Sequence, residues 1–223
     1  MQKLEPQQVI ERLPNKPYVL SDKGAGMVIR SLSSILNKAD KPRYIQHNQP
    51  NSLSFMVFDI DYEQAIYAHE DAEVLQPSFY TVDKHKTTAH AVYVLENPVH
   101  RNPDSLKGPQ KLFAALEEAY GEKLKADPGY SGLVMKTPWY ADHNIYYPEE
   151  AFTLCSLAKM AEYVELKQKP TTYTNKRITE LSDAYSESRN VAVFQIARKE
   201  AYKAYRAFFD APFRFGWIRS QNS

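Results

Sequence analysis

Short apolar runs separated by polar turns predict several β-strands in the first two thirds of the chain. Residues 55–61 are aromatic, β-branched or otherwise apolar until they end in Asp-Ile-Asp, and they lack helical spacing. This pattern predicts a buried strand. Two further strands are predicted over 78–82 and 89–95, joined by the polar turn at 83–87. A shorter run at 132–135 predicts one more strand.

Apolar residues at helical spacing predict helices on both sides of these strands. After a short helix near the N-terminus, the predicted helices are 27–37, 109–125, 153–166 and 190–209. Pro109 is suited to a first helical position, and Thr153 is suited to an N-cap. Residues 38–52 are polar and are predicted to form a loop that leads into the strand at 55–61.

The order of these elements predicts an α+β fold, because strands and helices alternate too irregularly for a doubly wound sheet. A length of 223 residues fits one large domain or one domain with an appendage. Residues 167–185 are polar, rich in Pro and Thr, and without periodicity, which predicts a linker. The predicted organisation is therefore a main domain over 1–166, the linker, and a helical segment over 186–223.

Composition and charge exclude several kinds of protein and of binding site. The net charge is +1, which indicates no particular partner. No apolar stretch is long enough to cross a bilayer, and the N-terminus has no apolar signal region. The single cysteine, Cys155, excludes an internal disulfide and a thiolate zinc site, and its apolar surroundings predict a buried, inert thiol. We expect a cytoplasmic protein without a membrane partner.

The carboxylates of Asp59 and Asp61 are the first chemical signal. Side chains alternate along a strand and rise roughly 3.3 Å per residue, which predicts that these two leave one face roughly 7 Å apart. Two anions on a mostly buried strand repel each other and lose hydration unless a cation compensates. Oxygen ligands suit Mg²⁺ or Mn²⁺. The alternative is a strand that simply ends in a solvated loop.

A histidine in the next long strand is the second signal. His90 lies in an apolar run between Ala89 and Ala91, and Thr88 shares its face. Small neighbours allow a large polar ligand to approach the backbone. Two interpretations stay open, a histidine satisfied within the core and a neutral imidazole that contacts a nucleotide.

These residues resemble a known family. An acid-x-acid strand followed by a small-x-His strand is similar to the first two motifs of archaeo-eukaryotic primases, and the chain resembles in particular the plasmid replication initiators of the ColE2 Rep (replicase) family. The resemblance covers about residues 10–207. The matching segments, in the family's order, are Leu13-Pro14-Asn15-Lys16-Pro17-Tyr18, Ile45-Gln46-His47-Asn48-Gln49-Pro50, Asp59-Ile60-Asp61, Ala89-His90-Ala91-Val92-Tyr93-Val94-Leu95 with Pro98-Val99, Ala126-Asp127-Pro128-Gly129-Tyr130-Ser131-Gly132-Leu133, Met135-Lys136-Thr137-Pro138-Trp139 and Ser188-Arg189-Asn190 to Ala201-Tyr202. The chain departs from the family at Thr87, Thr88 and Thr137, where Gly, His and Asn are usual.

The resemblance implies a fold and an activity. The implied fold is an RRM-like antiparallel sheet core with an N-terminal αβ subdomain and a C-terminal helical appendage, with the catalytic domain in residues 1–166. The implied activity is metal-dependent nucleotidyl transfer by a DNA-directed primase. It would use two Mg²⁺ or Mn²⁺ ions and nucleoside triphosphates to make a short primer on template DNA at a plasmid origin. Plasmid origin DNA, single- or double-stranded, and a host DNA polymerase are the implied partners.

The resemblance also implies roles for residues of the main domain. Asp59 and Asp61 would bind metal and act in catalysis, with Asp127 as the third metal carboxylate. Asp83 and Asp142 are rivals for that third position, and Asp127 fits a helix-ending turn equally well.

Nucleotide contacts are implied at three further positions. His90 would contact the triphosphate, Thr88 would assist through its hydroxyl, and Lys136 would supply phosphate charge. The alternative for Lys136 is a solvated lysine. Trp139 would stack on a base, unless it packs in its Pro-rich corner.

The C-terminal stretch from Thr171 has nine basic against five acidic residues, a balance of +4, with aromatic residues interleaved. This pattern favours a surface that follows a phosphate backbone, and a solvated helix face is the alternative. The implied contacts to nucleic acid are Arg189, Arg198, Lys203 and Arg206.

Two other functions stay open on the sequence alone. A module with the same fold could recognise the origin without catalysis, with a structural acidic pair. A nucleotide-sugar transferase also uses Asp-x-Asp with manganese, but this function leaves the His90 strand unexplained.

Overall fold

Two antiparallel four-stranded sheets carry the fold in the computed structural model, which describes residues 6–20, 26–86, 88–148 and 153–166. This confirms the predicted α+β class. The first sheet has the order β2-β1-β3-β7, with strands β1 (Tyr18–Leu20), β2 (Met27–Ile29), β3 (Tyr44–Gln46) and β7 (Val134–Lys136). The second has the order β4-β6-β5-β8, with strands β4 (Ser52–Ile60), β5 (Phe79–Asp83), β6 (Ala89–His100) and β8 (His143–Tyr146).

Five helices and one 3-10 turn connect the strands in the described residues. The longest is α4, which covers one face of the second sheet. The helices are α1 (Pro6–Ile10), α2 (Leu32–Asn37), α3 (Ala68–Asp71), α4 (Lys107–Lys123) and α5 (Leu157–Ala161), and the 3-10 turn is Ala65–Tyr67. No helix among the described residues is long and apolar enough to cross a membrane.

Strand β4 separates two hydrophobic cores, because alternate side chains of a strand point to opposite faces. One core contains Phe58 and Ile60 together with α4 residues such as Tyr120, whose ring stacks on that of Phe58. The other core contains Phe55 and Val57 together with residues of the first sheet. Asp59 continues this second face, so the strand that builds the core also aims a carboxylate toward the first sheet.

The long predicted elements are confirmed, with bounds shifted by a few residues. Strands β4, β5, β6 and β7 and helix α4 lie where the apolar patterns place them. The helix predicted over 153–166 is shorter than expected, since Ser156 rather than Thr153 caps it and it ends at Ala161. The predicted linker at 167–185 and the predicted helical segment at 186–223 lie outside the described residues.

The helix predicted over 27–37 is wrong in its first part. Val28 and Ile29 belong to β2 and pair with β1, which suits β-branched residues. The helix begins only after Ser31, whose hydroxyl accepts a hydrogen bond from the backbone N–H of Ser34 at 3.3 Å. The capping residue Ser31 therefore marks the start of this helix better than the spacing of its apolar residues does.

Three strands lie in segments for which no strand was predicted. They are β1, β3 and β8, and each is only three or four residues long. Strands this short have no periodicity of their own, and pairing with distant segments stabilises them. Strands β1, β2 and β3 therefore form a sheet of their own, and β7, from much later in the sequence, is its fourth strand.

Asn48 secures the start of β4. The strand contains a bulge between Leu53 and Phe55, where adjacent backbone N–H groups face the same side. The Asn48 side-chain oxygen accepts from the N–H groups of Ser54 and Phe55 at 2.8 and 2.9 Å. Its amide also donates to the Phe55 carbonyl at 2.8 Å. One side chain therefore satisfies three backbone groups at the outer edge of β4.

We expect Asn48→Ala to lower the free energy of unfolding by about 2 to 4 kcal/mol, because it leaves three partly buried polar groups without partners. Urea unfolding measures the change. The neighbouring exposed Gln49→Ala is the control and should change stability by less than about 0.5 kcal/mol. Equal stability of the two variants would contradict the role of Asn48.

Candidate active site

The pairing of β4 with β6 brings the two chemical signals of the sequence together. Asp59 is directly opposite His90 in the antiparallel register, so the two side chains leave the same face. The Nε2 atom of His90 lies 3.1 Å from Oδ1 of Asp59. The His90 side chain is only 1% exposed, whereas that of Asp59 is 19% exposed. The carboxylate of Asp59 thus reaches the surface, whereas the imidazole of His90 is buried beside it.

Lys136 of β7 contacts both residues. Its backbone N–H donates to Nδ1 of His90 at 3.1 Å, and its ammonium donates to Oδ1 of Asp59 at 2.9 Å. Because Nδ1 accepts a hydrogen bond, the proton of a neutral His90 ring is on Nε2. Lys136 is therefore not a solvated lysine, since its side chain is 4% exposed.

These contacts fix the charges of the pair. Burial raises the pKa of Asp59, but the contacts with His90 and Lys136 outweigh burial and lower it to about 2. Burial lowers the pKa of His90 to about 4, against the opposing effect of Asp59. At neutral pH the site therefore holds an ionised Asp59 and a neutral imidazole that presents an N–H.

Asp61 and Asp127 complete a cluster of three carboxylates with Asp59. One ligand oxygen from each residue lies within 4.8 Å of the other two. The backbone N–H of Asp127 donates to the Asp59 carbonyl at 2.8 Å, which holds the segment after α4 against the edge of β4. The spacing is shorter than the roughly 7 Å expected for two positions of a regular strand, because β4 ends at Ile60, one residue before Asp61.

The donor set fits a hard divalent cation. All three ligands are oxygens, as Mg²⁺ and Mn²⁺ prefer. Burial, Asp59 and Asp127 raise the pKa of Asp61, which means that its negative charge is only partly compensated. Oδ1 of Asp59 accepts from the ammonium of Lys136 and lies 3.1 Å from Nε2 of His90, whereas Oδ2 makes no hydrogen bond within the described part of the chain. A cation at the three carboxylates would relieve the remaining repulsion.

The other residues with a predicted role in the site lie outside this carboxylate cluster. Thr88 lies just before β6 on the His90 side, and its carbonyl accepts from the Asp83 backbone. Trp139 is half-buried and packs against the second core, which is the packing role that the sequence left open. Arg189, Arg198, Lys203 and Arg206 lie outside the described residues.

The two rivals of Asp127 lie in other contacts. Asp83 is buried and forms an ion pair with Arg43 at 2.9 Å. Asp142 is exposed and lies 3.7 Å from His85.

Three residues at the site were given no role by the sequence analysis. The Tyr130 ring lies 5.2 Å from that of His90, at an angle of 67°, and the Tyr44 ring lies 6.3 Å from it. Thr81 pairs with His90 from the other neighbouring strand, and its buried hydroxyl has no hydrogen-bond partner within the described residues. Alternation along β5 could have identified Thr81, but the two tyrosines depend on tertiary packing.

The fold and the site define an α+β protein with an acidic cluster suited to divalent cations. The model of the Replicase family matches residues 12–164, and the chain belongs to this family. The resemblance found in the sequence is thereby confirmed, and it supports a role in replication.

Comparisons with individual proteins add likenesses of structure. No curated protein matches the chain. Among solved structures, the chain is similar to the AEP domain of the Cyanophage S-2L primase-polymerase, with 13% identity, a TM-score of 0.49 and coverage of 67% of this chain and 88% of the other. It is also similar to the primase RepB', with 14% identity, a TM-score of 0.41 and coverage of 91% and 75%.

Replacing Asp59 and replacing Asp61 should have different effects on the stability of the metal-free protein. Asp59→Asn leaves the buried Lys136 ammonium without its counter-ion, and we expect a loss of about 3 kcal/mol. Asp61→Asn removes repulsion and should keep or raise stability. Unfolding in urea with a chelator present measures both. A loss at Asp61 as large as that at Asp59 would contradict this account of the charges.

Low pH should destabilise the protein through its buried histidines. Burial lowers the pKa of His47 to about 3 and that of His90 to about 4. Since unfolded histidine titrates near 6.5, the unfolded chain binds more protons between pH 6.5 and 4, and stability falls as the pH drops through that range. The contribution of Asp59 is lost only below about pH 4. Urea unfolding at several pH values tests this, and His47→Gln should flatten the profile; an unchanged slope would contradict it.

Proposed function

We propose that this protein is a metal-dependent primase that starts replication at a plasmid origin. The single observation that carries the proposal is the convergence of three carboxylate ligands within 4.8 Å of one another, beside a neutral histidine that presents an N–H. Membership of the Replicase family supports replication as the process. The reaction would add a nucleotide to a 3′-hydroxyl, with pyrophosphate as the leaving group.

Asp59, Asp61 and Asp127 would hold the divalent ions. When bound, two such ions stabilise the attacking and leaving oxygens of a phosphoryl transfer. All three carboxylates of this cluster are close enough to share the same cations, so we assign none of them as a general base. Their role is therefore to place charge and to position the nucleotide.

His90 and Lys136 would bind the phosphates of the nucleotide. The Nε2–H of His90 lies 3.1 Å from Oδ1 of Asp59 but makes no well-aligned hydrogen bond within the described residues, and it would turn to a phosphate oxygen when a nucleotide binds. The ammonium of Lys136 contacts Asp59 at 2.9 Å, so it lies beside the carboxylates that would hold the ions, and it would supply positive charge for a phosphate there. Thr88 is proposed to assist through its hydroxyl.

The proposed partners are template DNA at the origin and a host polymerase that extends the primer. Arg189, Arg198, Lys203 and Arg206 stay predicted contacts to nucleic acid. Their interaction with phosphate predicts binding that weakens as salt rises.

Primer synthesis tests the proposal directly. The protein is incubated with a single-stranded template, labelled nucleotides and Mg²⁺ or Mn²⁺, and the products are sized. We expect short products from the wild type and a loss of at least about 100-fold in Asp59→Asn and Asp61→Asn, because ions at this site stabilise the transition state by several kcal/mol.

Asp104→Asn is the matched control, since Asp104 is an exposed carboxylate outside the cluster. It should retain the wild-type yield. Full synthesis by Asp59→Asn or Asp61→Asn would remove that residue from catalysis. A folded wild type that binds origin DNA but makes no product would favour the non-catalytic origin-binding module.

A further inference from the structure

The outer edge of β4 exposes both the backbone donor and the backbone acceptor of Val57. In the β4–β6 ladder, every second residue directs its N–H and C=O away from the partner strand. The contacts of Phe55 with Asn48 and of Asp59 with Asp127 identify the outward set as Phe55, Val57 and Asp59. Asn48 satisfies the first and Asp127 contacts the last. The edge groups of Val57 have no hydrogen-bond partner among the described residues.

A cavity of about 470 Å³ lies against this part of the edge. We call it the β4-edge cavity. Its walls come from the loop after β3, from β4, from α4 and from the loop before β7. Lining residues that matter here are His47, Val57, Phe113, Ala114 and Leu133.

His47, which lines the cavity, carries a buried polar atom without a partner. The residue is 2% exposed, and its Nδ1 atom is buried and makes no hydrogen bond within the described part of the chain. The ring is fixed edge-on against Phe55, with 6.2 Å between the ring centroids. Native interiors rarely leave such a group unsatisfied.

We propose that the β4-edge cavity binds a nucleobase. A planar heterocycle with a neighbouring donor and acceptor matches the N–H and C=O of Val57, while Phe113 and Leu133 supply apolar contacts for its faces. Bases extruded from a helix are bound in this way, through their edges and faces. The volume is within the range of sites for small ligands.

The capped ends of the edge exclude a peptide strand as the occupant. A peptide that extends a sheet needs a row of free backbone groups. Among the described residues of this edge, only Val57 has both its N–H and its C=O free, because Asn48 bonds both groups of Phe55 and the N–H of Asp127 bonds the carbonyl of Asp59. A donor and an acceptor on one residue suit a single ring.

The location connects the cavity with the proposed reaction. Val57 lies two residues before Asp59 on the same face, roughly 7 Å away along the strand. The occupant would be the base of a nucleotide adjacent to the reacting one. This identification depends on the proposed function, but the presence of a base-binding cavity can be tested without catalysis.

The test is a titration of the ¹⁵N-labelled full chain with adenosine, guanosine, cytidine and uridine, without metal or template. We expect the amide signal of Val57 to shift with at least one nucleoside at millimolar concentrations. The amides of Met56 and Phe58 point toward β6 and should shift much less. Ribose lacks a base and should leave Val57 unchanged.

Two substitutions on α4 make the test specific. Ala114→Trp places a large ring in the cavity and should weaken nucleoside binding by at least about tenfold. Lys111→Trp puts the same ring at an exposed position of the same helix that does not line the cavity and should leave binding intact. A Val57 signal that no nucleoside moves, or one that moves equally in Ala114→Trp, would overturn the proposal. Primer synthesis by a protein that fails this titration would leave the proposed function standing and remove only the cavity.

Discussion

The contact of Asp59 with Lys136 and His90 determines the arrangement of this molecule. A carboxylate that is largely buried in a sheet is costly unless its charge is compensated. Two elements supply the compensation, since β6 carries the imidazole and β7 carries the ammonium, which lies 2.9 Å from Oδ1. Because β7 belongs to the first sheet, this one oxygen also joins the two sheets. The site is therefore part of the packing between them rather than an addition to a finished fold.

The charge of the site is only partly balanced within the described residues, since the Lys136 ammonium contacts Asp59 but not the other two carboxylates. Asp59 keeps a low pKa because of its contacts, whereas burial and its acidic neighbours raise the pKa of Asp61. A wholly compensated cluster would bind a further cation weakly, and a wholly uncompensated one would destabilise the fold. The observed distribution anchors one carboxylate and leaves its neighbours with unrelieved repulsion, which is the condition for a binding site for divalent ions.

The parts of the fold that can be predicted from sequence are those whose signal is local. Strand β4, strand β6 and helix α4 have runs long enough for periodicity to identify them, and Asp59 and His90 lie within such runs. The three-residue strands β1, β2 and β3 could not be identified in this way, because pairing across the chain stabilises them. The same limit applies to Lys136. Its contact with Asp59 depends on the pairing of β3 with β7, about ninety positions apart in the chain, and nothing local indicates it.

The two edges of β4 explain why a single strand can serve both structure and chemistry. Its inner edge pairs with β6 on both sides of the bulge, and this pairing sets Asp59 opposite His90. Its outer edge would be a liability if it were left open, because exposed strand edges recruit other chains. Asn48 and Asp127 close it at Phe55 and Asp59, and the second closure also delivers a carboxylate to the cluster. The protection of the edge and the assembly of the acidic site are thus the same contact, which ties the position of Asp127 to the register of the sheet rather than to the helix that precedes it.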